Sequence, residues 1–486
     1  MNARKTTLLL LPVLIAMSFS VSAEEDLRSL IKAMTAQMAD LGNQVKQSNQ
    51  RIAELEAKLA RIEQQKTQVS AAAPVTSPPT TATSVAAAGS AMIAATEGQP
   101  KTAPAVTVGD AKGTFKIPGT ETSLGFGGYV KLDTNYSSIG MGGDKLGDQH
   151  LVMAQIPVGD NRLGEHSKNT FHAKESRFWL KSFTPSAWGD INTFLELDLL
   201  GAPEISNYTP RLRHAYGSIG NFLAGQTWTT FLNVAAIADT LDSAGSVGAL
   251  VYLRQPQVRW TQPFSLAGTP LEFQAALETP KSRLWADPVL KEASDTYGFT
   301  NPNDERYPDV VARLNYTPDW GSLSIAGMAR QIRYTKQNTV QEQGYWGGAV
   351  SLAGKINTVG MDNLRFMLNY GNAIGRYATF NAFEDATLNA NGQLQLVKVY
   401  GGTLAYQHWW DKTWRSTLAY GFVSSDQPAF VGDEATRQGQ SVHSNLLWSP
   451  ISQATIGLEY IYALRERIDG QDGDLHRLQF STRFNF

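Results

Sequence analysis

The chain has 486 residues, no cysteine, 18% charged residues, 42 glycines and 11 tryptophans, with a formal net charge of -2. Without cysteine it has no disulfide framework and no cysteine-ligated metal site. Near charge balance it has no general attraction to nucleic acid, so charge acts only locally.

The chain opens on an address. Arg4 and Lys5 form a positive start, Leu8 to Phe19 an apolar stretch, and Val21-Ser22-Ala23 a small-residue cleavage site. This is the pattern of a secretory signal peptide over residues 1–23. No later apolar run approaches the ~20 residues that a spanning helix needs. The mature chain therefore crosses a membrane as a barrel, or not at all.

Residues 24–66 carry a heptad seam. Alternating steps of four and three from Leu27 give Ile31, Met34, Met38, Leu41, Val45, Ser48, Ile52, Leu55, Leu59 and Ile62, and only Ser48 is polar. The flanking pairs Arg51/Glu56 and Lys58/Glu63 have the spacing of interhelical ion pairs in parallel strands. The segment is predicted to be an oligomerising coiled coil; a single amphipathic surface helix would not need this regularity. Residues 67–112 then turn to Ala, Thr, Ser, Pro and Val, with Pro74, Pro78, Pro79, Pro100 and Pro104 breaking any helix. That composition makes a flexible linker with too little hydrophobic content to fold alone.

From residue 113 to 486 a two-residue alternation takes over. In the last strand Leu478, Phe480, Thr482, Phe484 and Phe486 alternate with Arg477, Gln479, Ser481, Arg483 and Asn485. In the first, Leu124, Phe126, Val130, Leu132 and Tyr136 alternate with Lys131, Asp133 and Asn135. Sixteen such strands can be drawn. Their odd-numbered connections are long (137–170, 200–210, 229–249, 280–307, 332–344, 373–394, 424–439 and 466–474), and the even-numbered ones are short. Apolar-out and polar-in strands, an even count, and long loops on one side only are the marks of an outer-membrane barrel. The expected fold is all-β: a 16-stranded antiparallel transmembrane β-barrel preceded by a periplasmic coiled-coil helix. Both barrel ends then lie in the periplasm of a Gram-negative cell.

Strand parity turns Arg177, Arg211, Arg213, Arg259, Arg313, Arg365, Arg415, Arg477 and Arg483 toward the lumen, together with Glu196, Asp198 and Glu459. The lining is mixed, with arginine in excess. Charged rings set the sign a pore prefers, and guanidinium suits forked contacts to carboxylate or phosphate. For any one arginine the plain alternative is a lumen residue paired with a neighbouring acid, since a polar interior is the default. Searches for a nucleophile elbow, a phosphate loop or metal-ligand spacing find nothing, and no cofactor is expected. His443 and Ser444 are neighbours on a strand and face opposite sides, so they form no dyad.

Several local sequences resemble the DcaP-like outer-membrane porins. They are Arg211-Leu212-Arg213-His214-Ala215-Tyr216, Gly225-Gln226-Thr227-Trp228, Arg254-Gln255-Pro256-Gln257-Val258-Arg259, Ile156-Pro157-Val158 and Ser176-Arg177-Phe178. The order of signal, coiled coil, linker and barrel is similar too. Leu199, after Glu196-Leu197-Asp198, departs from the phenylalanine the family favours. The resemblance implies a trimeric diffusion channel, not an enzyme, that favours small anions such as dicarboxylates. It also implies that residues 229–249 fold inward and narrow the channel, placing Asp239 and Asp242 opposite the arginine wall to create a transverse field. Phe486 is expected to be the assembly signal read by the outer-membrane insertion machinery. Expected partners are further copies of the chain, outer-membrane lipid and small anionic solutes, with no nucleic acid. A phosphate-selective porin and, more remotely, a barrel enzyme of phospholipase type are the competing readings.

Overall fold

The computed structural model describes residues 107–141, 145–162, 166–248, 250–286, 299–300, 305–335, 342–378 and 382–486. The signal peptide, the coiled coil and nearly all of the linker lie outside the described residues.

Sixteen wall strands close into a barrel: β1 (Ser123–Ser137), β2 (Lys168–His172 continued by Arg177–Thr184), β3 (Ile191–Asp198), β4 (Arg211–Ile219), β5 (Phe222–Trp228), β6 (Arg254–Leu266), β7 (Thr269–Glu278) and β8 (Asp309–Tyr316), then β9 (Gly321–Thr335), β10 (Glu342–Asn357), β11 (Asn363–Asn372), β12 (Lys398–Trp409), β13 (Trp414–Asp426), β14 (Thr436–Ile451), β15 (Ala454–Arg467) and β16 (Asp472–Asn485). Each pairs antiparallel with its sequence neighbours. Closure comes from β1, which pairs with β2 on one side and with β16 on the other, Lys131 opposite Arg483. Phe486 completes the seam by exchanging backbone hydrogen bonds with Gly128.

The wall is inside out relative to a water-soluble protein. Along β16, Leu478, Phe480 and Phe484 are exposed while Arg477, Gln479 and Ser481 are buried. Exposed aromatics fall in two belts: Tyr136, Trp346, Tyr370, Tyr400, Tyr420 and Tyr460 toward the long loops, and Trp188, Trp260, Trp320, Trp410, Trp414 and Phe484 toward the short turns. Ten residues separate Tyr400 from Trp410 on one hairpin arm, matching the ~9–11 residues of a tilted spanning strand. Among the described residues no helix is long and apolar enough to cross a membrane.

The turns on one side are tight. Ala267 and Gly268 join β6 to β7 with positive φ at both positions, the geometry a two-residue hairpin needs to match strand twist. The rhythm of long outer connections is less strict than the sequence suggested. β9 and β10 run to Thr335 and from Glu342, and β15 and β16 to Arg467 and from Asp472. Their strands rise beyond the apolar band, leaving connections 336–341 and 468–471 short.

The barrel interior is filled by its own outer loops. Ile139, Met153 and Ile156 of the first loop, Phe231, Leu232, Val247 and Val251 of the third, and Tyr377 and Phe383 of the sixth form one apolar cluster. The wall beneath it is built from small inward residues, Ala326 on β9 and Ala349 and Ala353 on β10, which leaves room for a loop. Each fully buried apolar side chain of this kind contributes ~1.5–3 kcal/mol.

Candidate functional site

The third loop, residues 229–253, leaves β5 and follows the inner wall strand by strand. Thr229 Oγ1 and the Thr230 N–H donate to Glu278 on β7 at 2.6 and 2.7 Å. Asn233 donates to Ser324 on β9 at 2.9 Å and caps a short 3-10 turn, Val234–Ala236. The Ile237 carbonyl accepts from Arg365 on β11, and Asp239 accepts from Gln407 on β12 and Arg415 on β13, both at 2.8 Å. The Leu241 and Asp242 N–H groups donate to Glu459 on β15 at 2.8 and 3.2 Å, and Lys131 Nζ on β1 reaches the Leu241 carbonyl at 2.8 Å. Val247 then donates to Ser441 on β14. Its carbonyl lies where a Cβ on Gly421 would sit, so glycine is required there for close approach.

This course confines the open passage to the remaining wall. A cavity of about 210 Å³ is lined by Tyr129, Lys131, Glu175, Arg177 and Arg483 from the wall, Asp239 to Ser243 and Tyr252 from the loop, and Arg415. The Tyr129 ring lies between two guanidiniums, Arg177 and Arg483, each with its Cζ 5.3 Å from the ring centroid. Such cation–π stacking holds both arginines in place without neutralising them; Arg177 also has a long contact, 3.9 Å, to Glu196.

The acids of this region are taken. Asp198 accepts from Arg211 at 3.0 and 2.7 Å and from Arg213 at 2.8 Å, and Glu196 accepts from Arg213 at 2.5 Å. Glu459 is consumed by the loop backbone, Asn445 and His443. By contrast Arg259, Arg313, Arg365 and Arg483 have no carboxylate within 4.0 Å among the described residues. Arg313 and Arg365 bond through their terminal nitrogens to loop carbonyls and side-chain amides, neutral partners that leave their charge.

The expected positive wall is thereby redrawn. Arg177 lines the constriction, but Arg211 and Arg213 stand one strand pair away, bound to Asp198 and Glu196. Arg259, Arg313 and Arg365 lie on other parts of the wall. Arg213 and His214 both turn inward because a β-bulge separates Glu196–His214 from Leu197–Leu212 in the β3–β4 register; the extra residue resets parity. Asp242 does not face the arginines across water. It is buried, accepts the Leu151 and Ala244 N–H groups at 2.6 and 2.8 Å, and clamps the first loop to the third. Burial favours the neutral acid, but His150 and Arg477 hold its carboxyl below the usual range. Burial likewise favours neutral His150, yet the carboxylates of Asp242 and Glu175, 3.8 and 3.2 Å from its Nδ1, push its pKa up to about 9. Of the two loop acids, Asp239, one-third exposed, is the one that stays at the passage.

Sequence reasoning did not single out Tyr129, Lys131 or Tyr252 as site residues. Lys131 carried the right parity, but its pairing with Glu175 at 2.5 Å depends on a break in β2 at residues 173–176. It also missed Arg330, fully buried between Asp309 and Asp385 at 3.3 and 2.7 Å.

A profile described as "DcaP outer membrane protein" matches residues 112–486. The chain belongs to this family. Its sixteen-stranded cylinder is the barrel of an outer-membrane porin. Among solved structures, the outer-membrane channel DcaP of Acinetobacter baumannii is 21% identical, with a TM-score of 0.64 over 76% of this chain and 99% of that one. OmpT of Vibrio cholerae is 12% identical over 76% and 99%, TM-score 0.47. An anion-selective porin of Comamonas acidovorans is 12% identical over 75% and 100%, TM-score 0.44. The fold likeness rests on the first alone. No curated protein matches the chain in sequence.

Proposed function

We propose that this porin is an anion-preferring diffusion channel whose solutes are small carboxylates, dicarboxylates among them. The observation that carries the reading is the imbalance of the lining among the described residues: Arg483 at the narrow section and Arg259, Arg313 and Arg365 elsewhere on the wall have no acid partner, Arg177 has only a long contact of 3.9 Å to Glu196, and the acids are already paired. A dianion entering this passage sheds hydration water, and forked guanidinium hydrogen bonds replace it. Arg177 and Arg483, splayed on either side of Tyr129, are the groups that meet it. Attraction must stay modest for the solute to leave again. The barrel works as a trimer, as the family resemblance implies, with its 24–66 coiled coil in the periplasm; the heptad seam supports association, and both barrel ends lying on the short-turn side support the periplasmic placement.

The test is the reversal potential of the reconstituted channel in a potassium chloride gradient. Preference for chloride is expected, with succinate transiently blocking current. Replacing Arg177 and Arg483 together by Ala should reduce both effects, whereas replacing Arg211 and Arg213 should lower chloride preference by freeing Asp198 and Glu196 but leave the succinate block in place. Cation preference in the unmodified channel would overturn the reading.

A further inference from the structure

On the periplasmic side of the constriction the inward faces of β2, β3 and β4 carry rings where a polar lining is the default. Trp179 stands two residues beyond Arg177, and Phe194 two residues before Glu196. Tyr216 is directly opposite Phe194 in the register. The Trp179 and Phe194 centroids are 6.3 Å apart at an interplanar angle of 30°, and those of Phe194 and Tyr216 are 5.9 Å apart. All three side chains are partly exposed. Their neighbours Phe178, Leu180 and Leu195 occupy the lipid side, so the exposed parts of the rings face the lumen. The Trp179 indole lies against Gly127 of β1, where a Cβ would displace it; the glycine lets the ring lie flat along the wall.

Hydrogen-bonding groups interleave with the rings. Asn192 and Ser218 follow Phe194 and Tyr216 toward the periplasm and face each other in the register. Lys181 is opposite Phe194, its Nζ 5.5 Å from the Trp179 ring centroid. We infer that this strip is a binding track for the pyranose rings of neutral oligosaccharides. A sugar ring offers an apolar C–H face and a rim of hydroxyls. The aromatic faces take the former, and Asn192, Ser218 and Lys181 take the latter. Centroid spacings near 6 Å pass a ring from one platform to the next. An aryl solute would leave the amide and hydroxyl idle, and a small inorganic ion would use none of the rings. The track is independent of charge selectivity, because its ligand is uncharged.

The test is single-channel recording with a linear glucose oligomer added on the periplasmic side. Resolvable current blockades are expected in the unmodified channel. The double variant Trp179→Ala, Phe194→Ala should shorten them about tenfold, since two of the three ring platforms are removed. Phe194→Tyr should keep them, and the heat-modifiable gel mobility of a folded barrel checks that each variant is intact. Absence of blockades in the unmodified channel would overturn the assignment. So would dwell times unaffected by the double variant, or shortened equally by the lipid-side variant Phe178→Ala.

Discussion

Glu459 is the post that holds the constriction loop, and Glu459→Ala isolates its effect. Its buried carboxylate accepts the Leu241 and Asp242 N–H groups at 2.8 and 3.2 Å and the Asn445 amide at 2.9 Å. A buried donor left unsatisfied costs ~1–3 kcal/mol. Two orphaned loop N–H groups in a passage that admits water fall toward the low end, about 3 kcal/mol together. That corresponds to a roughly 150-fold shift toward a loop detached from β15. The wall itself is spared, because residue 459 pairs with Asn445 and Gln479 through backbone. The variant should therefore retain the heat resistance of a folded barrel while its single-channel conductance rises and becomes noisy. Glu459→Gln removes the charge but keeps one acceptor oxygen, so it should shift ion selectivity with much less noise. Planar-bilayer recording of the three proteins reads both quantities. Equal conductance and noise in Glu459→Ala and the unmodified channel would refute the anchoring role.

Gly421→Val should push the Val247 segment off β13, raising conductance without unfolding the barrel, as read by recording and gel mobility. The His150 clamp has a pH signature. Its pKa is raised from an ordinary value near 6.5 to about 9, so its contribution is complete below pH 6.5 and is lost as pH climbs through 9. Channel noise should rise across that window, and His150→Gln should abolish the dependence; a flat profile in the unmodified channel would count against the clamp. Deleting Phe486 removes the last backbone pair to Gly128 and the ring 5.8 Å from Phe178, and should leave periplasmic aggregates; normal membrane yields would argue otherwise. Residues 24–66 alone should sediment as a helical oligomer, and Leu55→Asp should make them monomeric.

The barrel was legible in the chain because its cause is local. A strand between lipid and water must alternate with period two, and Leu478, Gln479, Phe480 and Ser481 state that alternation whatever lies beside them. Parity likewise turned Arg177, Arg365 and Arg483 inward. What parity cannot state is which inward charge meets which. Arg213 reaches Asp198 because a bulge inserts it into β4, and Glu459 is spent on a loop more than two hundred residues earlier. Asp239 and Asp242, three residues apart and alike in composition, part company only when the loop is laid down, one at the passage and the other under the first loop. The sequence by itself determined the wall, its two faces and its arginine surplus. Tertiary structure alone decided which of those charges stay unpaired, since Coulomb interactions and hydrogen bonds act between neighbours in space, and barrel closure with loop 3 folded inside makes neighbours of residues the chain keeps far apart.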